Sequence, residues 1–244
     1  MKKLLLIIIF TSINLSSCQQ KQDLSKTIGE YEDLGLPIID KKWTYEDIES
    51  SISILEKLKN RDSLPLPKLK SKKSSEYFKK ILLELPKVDL SDSLNLNQQF
   101  QNFDLFQKAA SKLSYMYGYT ELEQIYYSNE SVELEKLSIQ EATKTGQLYF
   151  DFIKKPSSSS NEKLQNGLFK VFESTLEAHE SYNKYDSKDK IELAKTIANN
   201  LEKIWRNLDL DLRNKLLIQI QNISENNEIK EVRKIYNKLY NNIK

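Results

Sequence analysis

"SKDKIELAKTIANNLEKIW", residues 187–205, sets Ile191, Ala194, Ile197, Ala198, Leu201, Ile204 and Trp205 at steps of three and four, with Lys, Glu and Asn between them. Steps of three and four return a side chain to one face of a 3.6-residue helix, whereas a strand requires alternation with period two. An apolar stripe on an otherwise charged helix marks an element that lies against a core and keeps one face wet. The helix is expected to open at Ser187.

The same spacing extends in both directions. Upstream, Leu164, Leu168, Val171, Phe172, Thr175 and Tyr182 mark one helix; downstream, Leu212, Leu216, Ile220 and Ile223 mark a second, and Ile229, Val232, Tyr236, Leu239 and Ile243 a third. Nearer the start, Thr44 with Asp47 forms a signature of the capping-box kind ahead of Tyr45, Ile48, Ile52, Leu55 and Leu58. Tyr77, Phe78, Ile81, Leu82 and Leu85 follow on a short helix stopped by Pro86. Phe100, Phe103, Phe106, Ala110, Leu113 and Tyr117 line another, ended by Gly118. Thr120 and Glu123 make a second capping box, opening a pattern that runs to about Lys154 with a break near Ser128–Ser131.

No segment alternates with period two, and 244 residues contain only 5 Gly and 5 Pro, too few for the turns of a β-rich fold. The expectation is an all-α protein, about eight amphipathic helices in a multi-helix bundle or helical array. Residues 43–244 are read as a single domain. Pro156–Ser160, "PSSSS", is the one candidate subdivision within it, although five residues is an ordinary inter-helix connection.

The first residues read differently. Lys2 and Lys3 precede seven apolar residues, Leu4–Phe10, far short of the about 20 needed to span a bilayer. Leu15-Ser16-Ser17-Cys18 then stands where a secretory cleavage site would fall, and Cys18 is the only cysteine. This stretch resembles the lipobox of bacterial lipoproteins. The resemblance covers residues 1 to about 18 and implies a signal peptide over 1–17, cleavage before Cys18, a diacylglycerol thioether on Cys18 and often an acyl chain, such as palmitate, on its amino group. Two or three such chains make membrane attachment stable. Gln19, where Asp would signal inner-membrane retention, implies the outer membrane, with surface display a further option. Residues 18–42, aperiodic and holding Gly29, Gly35 and Pro37, are read as the lipidated end and its tether. Flexible, the stretch from Gln19 would span about 27 Å root-mean-square; its "YEDLGLPIID" segment, residues 31–40, could alternatively dock on the body.

With Lys2 and Lys3 removed, the 37 basic residues fall to 35 against 35 acidic, a formally neutral chain. That balance argues against a general field for nucleic acid and leaves only local patches.

His179 is the sole histidine, so HExxH and two-histidine metal sites are impossible on this chain. It falls at the edge of its helix's apolar stripe and reads as a rim or core residue; the alternative is a general base aided by Glu177 or Glu180. No G-x-S-x-G, P-loop or G-x-G-x-x-G occurs. No catalytic residue, metal or cofactor is therefore assigned, and the expectation is a non-enzyme. Two stretches carry binding hypotheses. Tyr115, Tyr117, Tyr119, Tyr126 and Tyr127 cluster around a helix junction and could form a binding surface, or could wedge helices together. Lys68, Lys70, Lys72 and Lys73 form a candidate basic patch. The expected function is that of an envelope lipoprotein, attached to the membrane through lipid on Cys18, whose helical domain binds a partner protein in an accessory, inhibitor or immunity-type role. The alternative is a glycan- or ligand-binding envelope protein, conceivably hydrolytic, with a tyrosine-lined cleft and a polysaccharide as partner.

Overall fold

Thr44 and Asp47 cap the first helix reciprocally. The Asp47 N–H donates to Thr44 Oγ1 at 3.2 Å and the Thr44 N–H donates to Asp47 Oδ2 at 2.8 Å, the arrangement a capping box predicts. The bonds that Asp47 Oδ2 accepts from the Thr44 N–H and, at 3.2 Å, from the Thr44 hydroxyl hold the Asp47 carboxyl below its usual range, with Lys41 at 3.6 Å adding to the effect. The computed structural model describes residues 27–28, 41–59, 66–67, 72–91, 95–118, 124–125, 127–153, 158–181 and 185–244. Among them are eight α-helices: α1 Tyr45–Lys59, α2 Lys72–Glu84, α3 Leu96–Gly118, α4 Ser128–Phe152, α5 Ser158–Ser181, α6 Ser187–Ile204, α7 Leu210–Asn226 and α8 Lys230–Ile243. The all-α class and the helix number follow the sequence pattern. A parallel pairing of two two-residue strands, β1 Thr27–Ile28 and β2 Leu66–Pro67, is the exception among the described residues, and β1 falls within the stretch read as a tether.

The described chain forms two compact units. Their boundaries fall at 87/88, 104/105 and 134/135, the last two inside α3 and α4, and not near 156–160 where a subdivision was considered. One unit comprises the described residues among 27–87 and 105–134. Here α1 packs on α2, burying Ile48, Ile52, Ile81, Leu82 and Leu85, with Trp43 beneath the Lys80 ammonium 5.8 Å from its ring. Phe106, Ala110, Leu113 and Tyr117 are buried as their shared stripe requires.

The other unit comprises residues 88–104 and 135–244. Its centre is a ring of four helices in which each touches two others: α5 with α6, α6 with α8, α8 with α7, and α7 with α5. The inward stripes are Leu164, Leu168 and Phe172 on α5, Leu193, Ile197, Leu201 and Ile204 on α6, Leu216 and Ile220 on α7, and Val232, Tyr236 and Leu239 on α8. Short connections make successive helices antiparallel, so the start of α5, the α6–α7 junction and the end of α8 share one end of the ring. At that end, fully buried Gln165 of α5 donates to the Asn207 carbonyl at 2.7 Å and accepts from the Asp209 N–H at 3.1 Å. Trp205 Nε1–H donates to the Ile243 carbonyl at 2.7 Å, tying the end of α6 to the end of the chain.

The second half of α4 packs alongside. A Cβ on Gly146 would approach Leu168 Cδ1 at 3.1 Å and Ile204 Cγ2 at 3.6 Å, so glycine permits a closeness that repays part of the roughly 1 kcal/mol it costs in a helix interior. Buried Glu141 accepts the Val88 N–H at 2.5 Å and the Lys144 ammonium at 2.7 Å, and Tyr185 donates to Glu135 at 2.5 Å. Asp186, one residue ahead of the expected opening, caps α6 by accepting from the Asp189 N–H.

Replacing Gln165 with Leu keeps the volume and removes two part-buried hydrogen bonds to the backbone. The expected loss is about 1–3 kcal/mol of unfolding free energy with an unchanged denaturant m-value. A loss under about 0.5 kcal/mol would show that the clamp contributes nothing.

Candidate functional site

At the opposite end of the four-helix ring the end of α5, the beginning of α6, the end of α7 and the beginning of α8 surround a cavity of about 290 Å³. His179, in the last turn of α5, lines it and is 3% exposed. Among the described residues neither ring nitrogen has a hydrogen-bond partner. Its ring meets that of Tyr236 edge to face at 5.5 Å, and the hydroxyl of Tyr236, wholly buried, is likewise without a partner. Buried polar atoms left unbonded cost about 1–3 kcal/mol each. The helix ends therefore hold a concentrated set of unused donors and acceptors beside a cavity.

The wall opposite is made by the α7–α8 connection, which is held firmly. Asn227 caps α7 through its N–H to the Ile223 carbonyl, its side-chain oxygen accepts the Ile229 N–H at 3.0 Å, and its carbonyl accepts from the Arg233 guanidinium. One residue back, Asn226 donates to Asn222 Oδ1 at 2.8 Å, joining two carboxamides one turn apart along the rim. Lys190 and Glu228 supply one charge of each sign.

Burial, reinforced by the Lys190 charge, pushes the His179 imidazole down from its ordinary 6.5 to about 4. Near neutral pH it is uncharged, with one nitrogen donating and the other accepting. Burial likewise pushes the Tyr236 hydroxyl well above its ordinary value. A base of such low affinity for protons is a weak catalyst of proton transfer near pH 7. Glu177 is exposed and does not orient the ring, so the general-base arrangement considered from the sequence is not formed with it.

Tyr117 and Tyr127 belong to the interior and not to a surface. They are 0% and 2% exposed, with ring centroids 5.5 Å apart, and burial raises the Tyr117 hydroxyl well above its usual range, Glu130 and Tyr127 assisting. The reason is register: Tyr117 shares the stripe of Phe106, Ala110 and Leu113. For these two, packing between helices, the second of the two readings the sequence left open, is what their burial shows, and they are not part of a binding surface. Cys18, Lys68, Lys70, Tyr119 and Tyr126 lie outside the described residues, as do the side chains of Tyr115, Lys72 and Lys73, although Tyr115 is carried by α3 and the two lysines begin α2. A second cavity, about 350 Å³, lies between α4 and α6, with Lys144 and Lys203 at its margin. Its buried Asn200 donates to the Thr196 carbonyl at 2.8 Å, and none of its lining side chains has a buried polar atom without a partner. Among the described residues no group of three or more His, Cys, Asp and Glu could hold a metal ion, and no helix is long and apolar enough to cross a membrane. The carriers of the His179 cavity that sequence reasoning missed are Lys190 and the amides of "QNISENNEIK", residues 221–230, whose density of Asn at a helix junction was their one signal.

The fold and cavity define an all-helical protein with a neutral, enclosed histidine at one end of a four-helix ring. Comparison with protein-family models, with curated proteins and with solved structures finds no match for the chain.

Because the folded chain refuses a proton that the unfolded chain accepts, stability is unaffected above pH 6.5 and falls as pH drops from 6.5 towards 4. Across that window the wild type is expected to lose on the order of 3 kcal/mol relative to His179→Leu, measured by urea unfolding at stepped pH. Parallel curves for the two proteins would contradict the assignment.

Proposed function

We propose that the chain is a lipid-anchored protein of a bacterial envelope whose helical body binds a partner protein without catalysing a reaction. The anchor is the diacylglycerol thioether implied at Cys18, with Gln19 favouring the outer membrane. The accessory, inhibitor or immunity-type role is a matter of masking or bridging another envelope protein.

The observation that carries partner binding is the outer face of α7. Leu210 and Ile218, 62% and 69% exposed, stand two turns apart on the side of the helix opposite Leu216, Ile220 and Ile223. Asn214 and Gln221, both exposed and uncharged, share that face. Each large aliphatic side chain withdrawn from water contributes about 1.5–3 kcal/mol, and such residues among polar neighbours form the desolvated centre of a protein interface. The tyrosine-lined cleft of the alternative reading loses Tyr117 and Tyr127 to the interior and is not proposed.

Two experiments separate address from activity. Cys18→Ala is expected to move the protein from the membrane to the soluble envelope fraction and to abolish radioactive fatty-acid labelling; membrane retention without labelling of either form would sink the anchor. Crosslinking on intact cells is expected to capture one discrete protein, and Leu210→Lys with Ile218→Lys to reduce its yield at least about tenfold, the equivalent of about 1.4 kcal/mol. Undiminished capture by the double variant would remove α7 as the interface.

A further inference from the structure

We propose that the outer face of α2 docks on an anionic phospholipid surface, as a second attachment beside the lipid implied at Cys18. This rests on the lipid-anchor reading given above, and it uses a different helix and a different unit from partner binding by α7.

Because α2 buries Ile81, Leu82 and Leu85, its register turns Glu76, Lys79 and Leu83, at steps of three and four, to the opposite side. Leu83 is 73% exposed, the most exposed large apolar side chain among the described residues. Lysines flank it on both sides. The Lys79 side chain, one turn before, is 62% exposed even while it pairs with Glu130 at 3.7 Å. Lys87, also exposed, donates to the Leu83 and Leu85 carbonyls at 3.1 and 3.4 Å, which holds its charge at the end of the helix beside Leu83. Lys80 lies 2.8 Å from Glu84. From Lys72 to Lys87 the sequence carries five lysines against two glutamates, Glu76 and Glu84. That is a surplus of three positive charges in a chain that is formally neutral once Lys2 and Lys3 are removed.

Two arguments choose a bilayer over an acidic protein. The first is reach. β1 holds Thr27–Ile28 against β2, Leu66–Pro67, in the same unit as α2 and five residues ahead of it. Nine chain steps separate Cys18 from Thr27, so covalent geometry keeps that strand within about 30 Å of the lipid; an unpaired chain from Cys18 to Lys41 would allow about 80 Å. Attraction between lysines and anionic headgroups acts within a Debye length, about 8–10 Å, and confinement of this kind is what lets it act. The second is composition. One aliphatic side chain flanked by lysines suits insertion among headgroups, where the stems lie along apolar surface and the ammonium groups meet phosphates. The desolvated centre of a protein interface is larger and depleted in charge.

The test uses the mature lipidated protein, mixed with vesicles of phosphatidylcholine alone or of phosphatidylcholine with phosphatidylglycerol. Leu83→Cys supplies a free thiol, the Cys18 sulfur being held in its thioether, and takes a solvent-sensitive fluorophore. Flotation with both kinds of vesicle is expected from the anchor. On the anionic vesicles alone the label is expected to brighten at least about twofold and to be quenched by spin-labelled lipid; Lys79→Gln with Lys87→Gln, or about 0.5 M salt, is expected to cut that response at least about threefold. A label equally wet on both vesicles, with flotation intact, would overturn α2 docking alone and leave the basic face to an acidic protein. An equal response on neutral vesicles, or one indifferent to the lysine changes, would overturn its electrostatic basis. Failure to float with either would remove the anchor, and this proposal with it.

Discussion

The apolar stripe of α8 is the constraint on which the C-terminal unit depends. Val232, Tyr236, Leu239 and Ile243 recur at four, three and four residues, all buried, and α8 is the helix that touches both α6 and α7. Without it the ring of four is open on one side and the inner faces of its neighbours meet water. No cystine can brace this arrangement, because the only cysteine is at position 18, so side-chain packing carries the whole load. At about 1.5–3 kcal/mol for each large aliphatic group buried, a few such residues equal the entire net stability of an ordinary domain.

The two ends of the ring use opposite solutions to the same problem. Helix ends leave backbone donors and acceptors without intrahelical partners, and these must be satisfied locally. At one end Gln165 and Trp205 supply side-chain bonds to Asn207, Asp209 and Ile243, closing the gap between helices with protein atoms. At the other, the Asn227 turn satisfies the backbone, but the side chains of His179 and Tyr236 are enclosed with nothing bonded to them. An end tied by bonds of this kind gains stability; an end with a cavity and unbonded buried side chains gives some up. Functional sites commonly show this local conflict between stability and available chemistry.

Much of the fold was legible because helical periodicity is a local signal. Thr44 and Asp47, three apart, announce a cap, and the stripe from Phe100 to Tyr117 comes out buried at every position named. The division into two units was not legible: its boundaries cut α3 and α4, where composition does not change, and none falls at the Ser-rich run at 156–160. Gly146 was passed over because its purpose, letting Leu168 and Ile204 come close, exists only across helices. The cavity was half legible. His179 at a stripe's edge was noticed, but Lys190 and Glu228 lie 11 and 49 residues away, and only the antiparallel connections bring them to the same end. The tyrosine cluster stayed two-sided for a related reason, since residue type suits Tyr to interfaces and cores alike, and only register puts Tyr117 and Tyr127 inside.

The account turns on an imidazole held neutral within the ring's open end, and its ionisation can be read directly. The ring-proton shift of His179, the chain's single histidine, should be followed against pH in the full-length protein by NMR. The expected midpoint is about 4, with the ring uncharged throughout the neutral range. A midpoint at the ordinary 6.5 would mean that the residue meets solvent and is not buried among the helix ends as described.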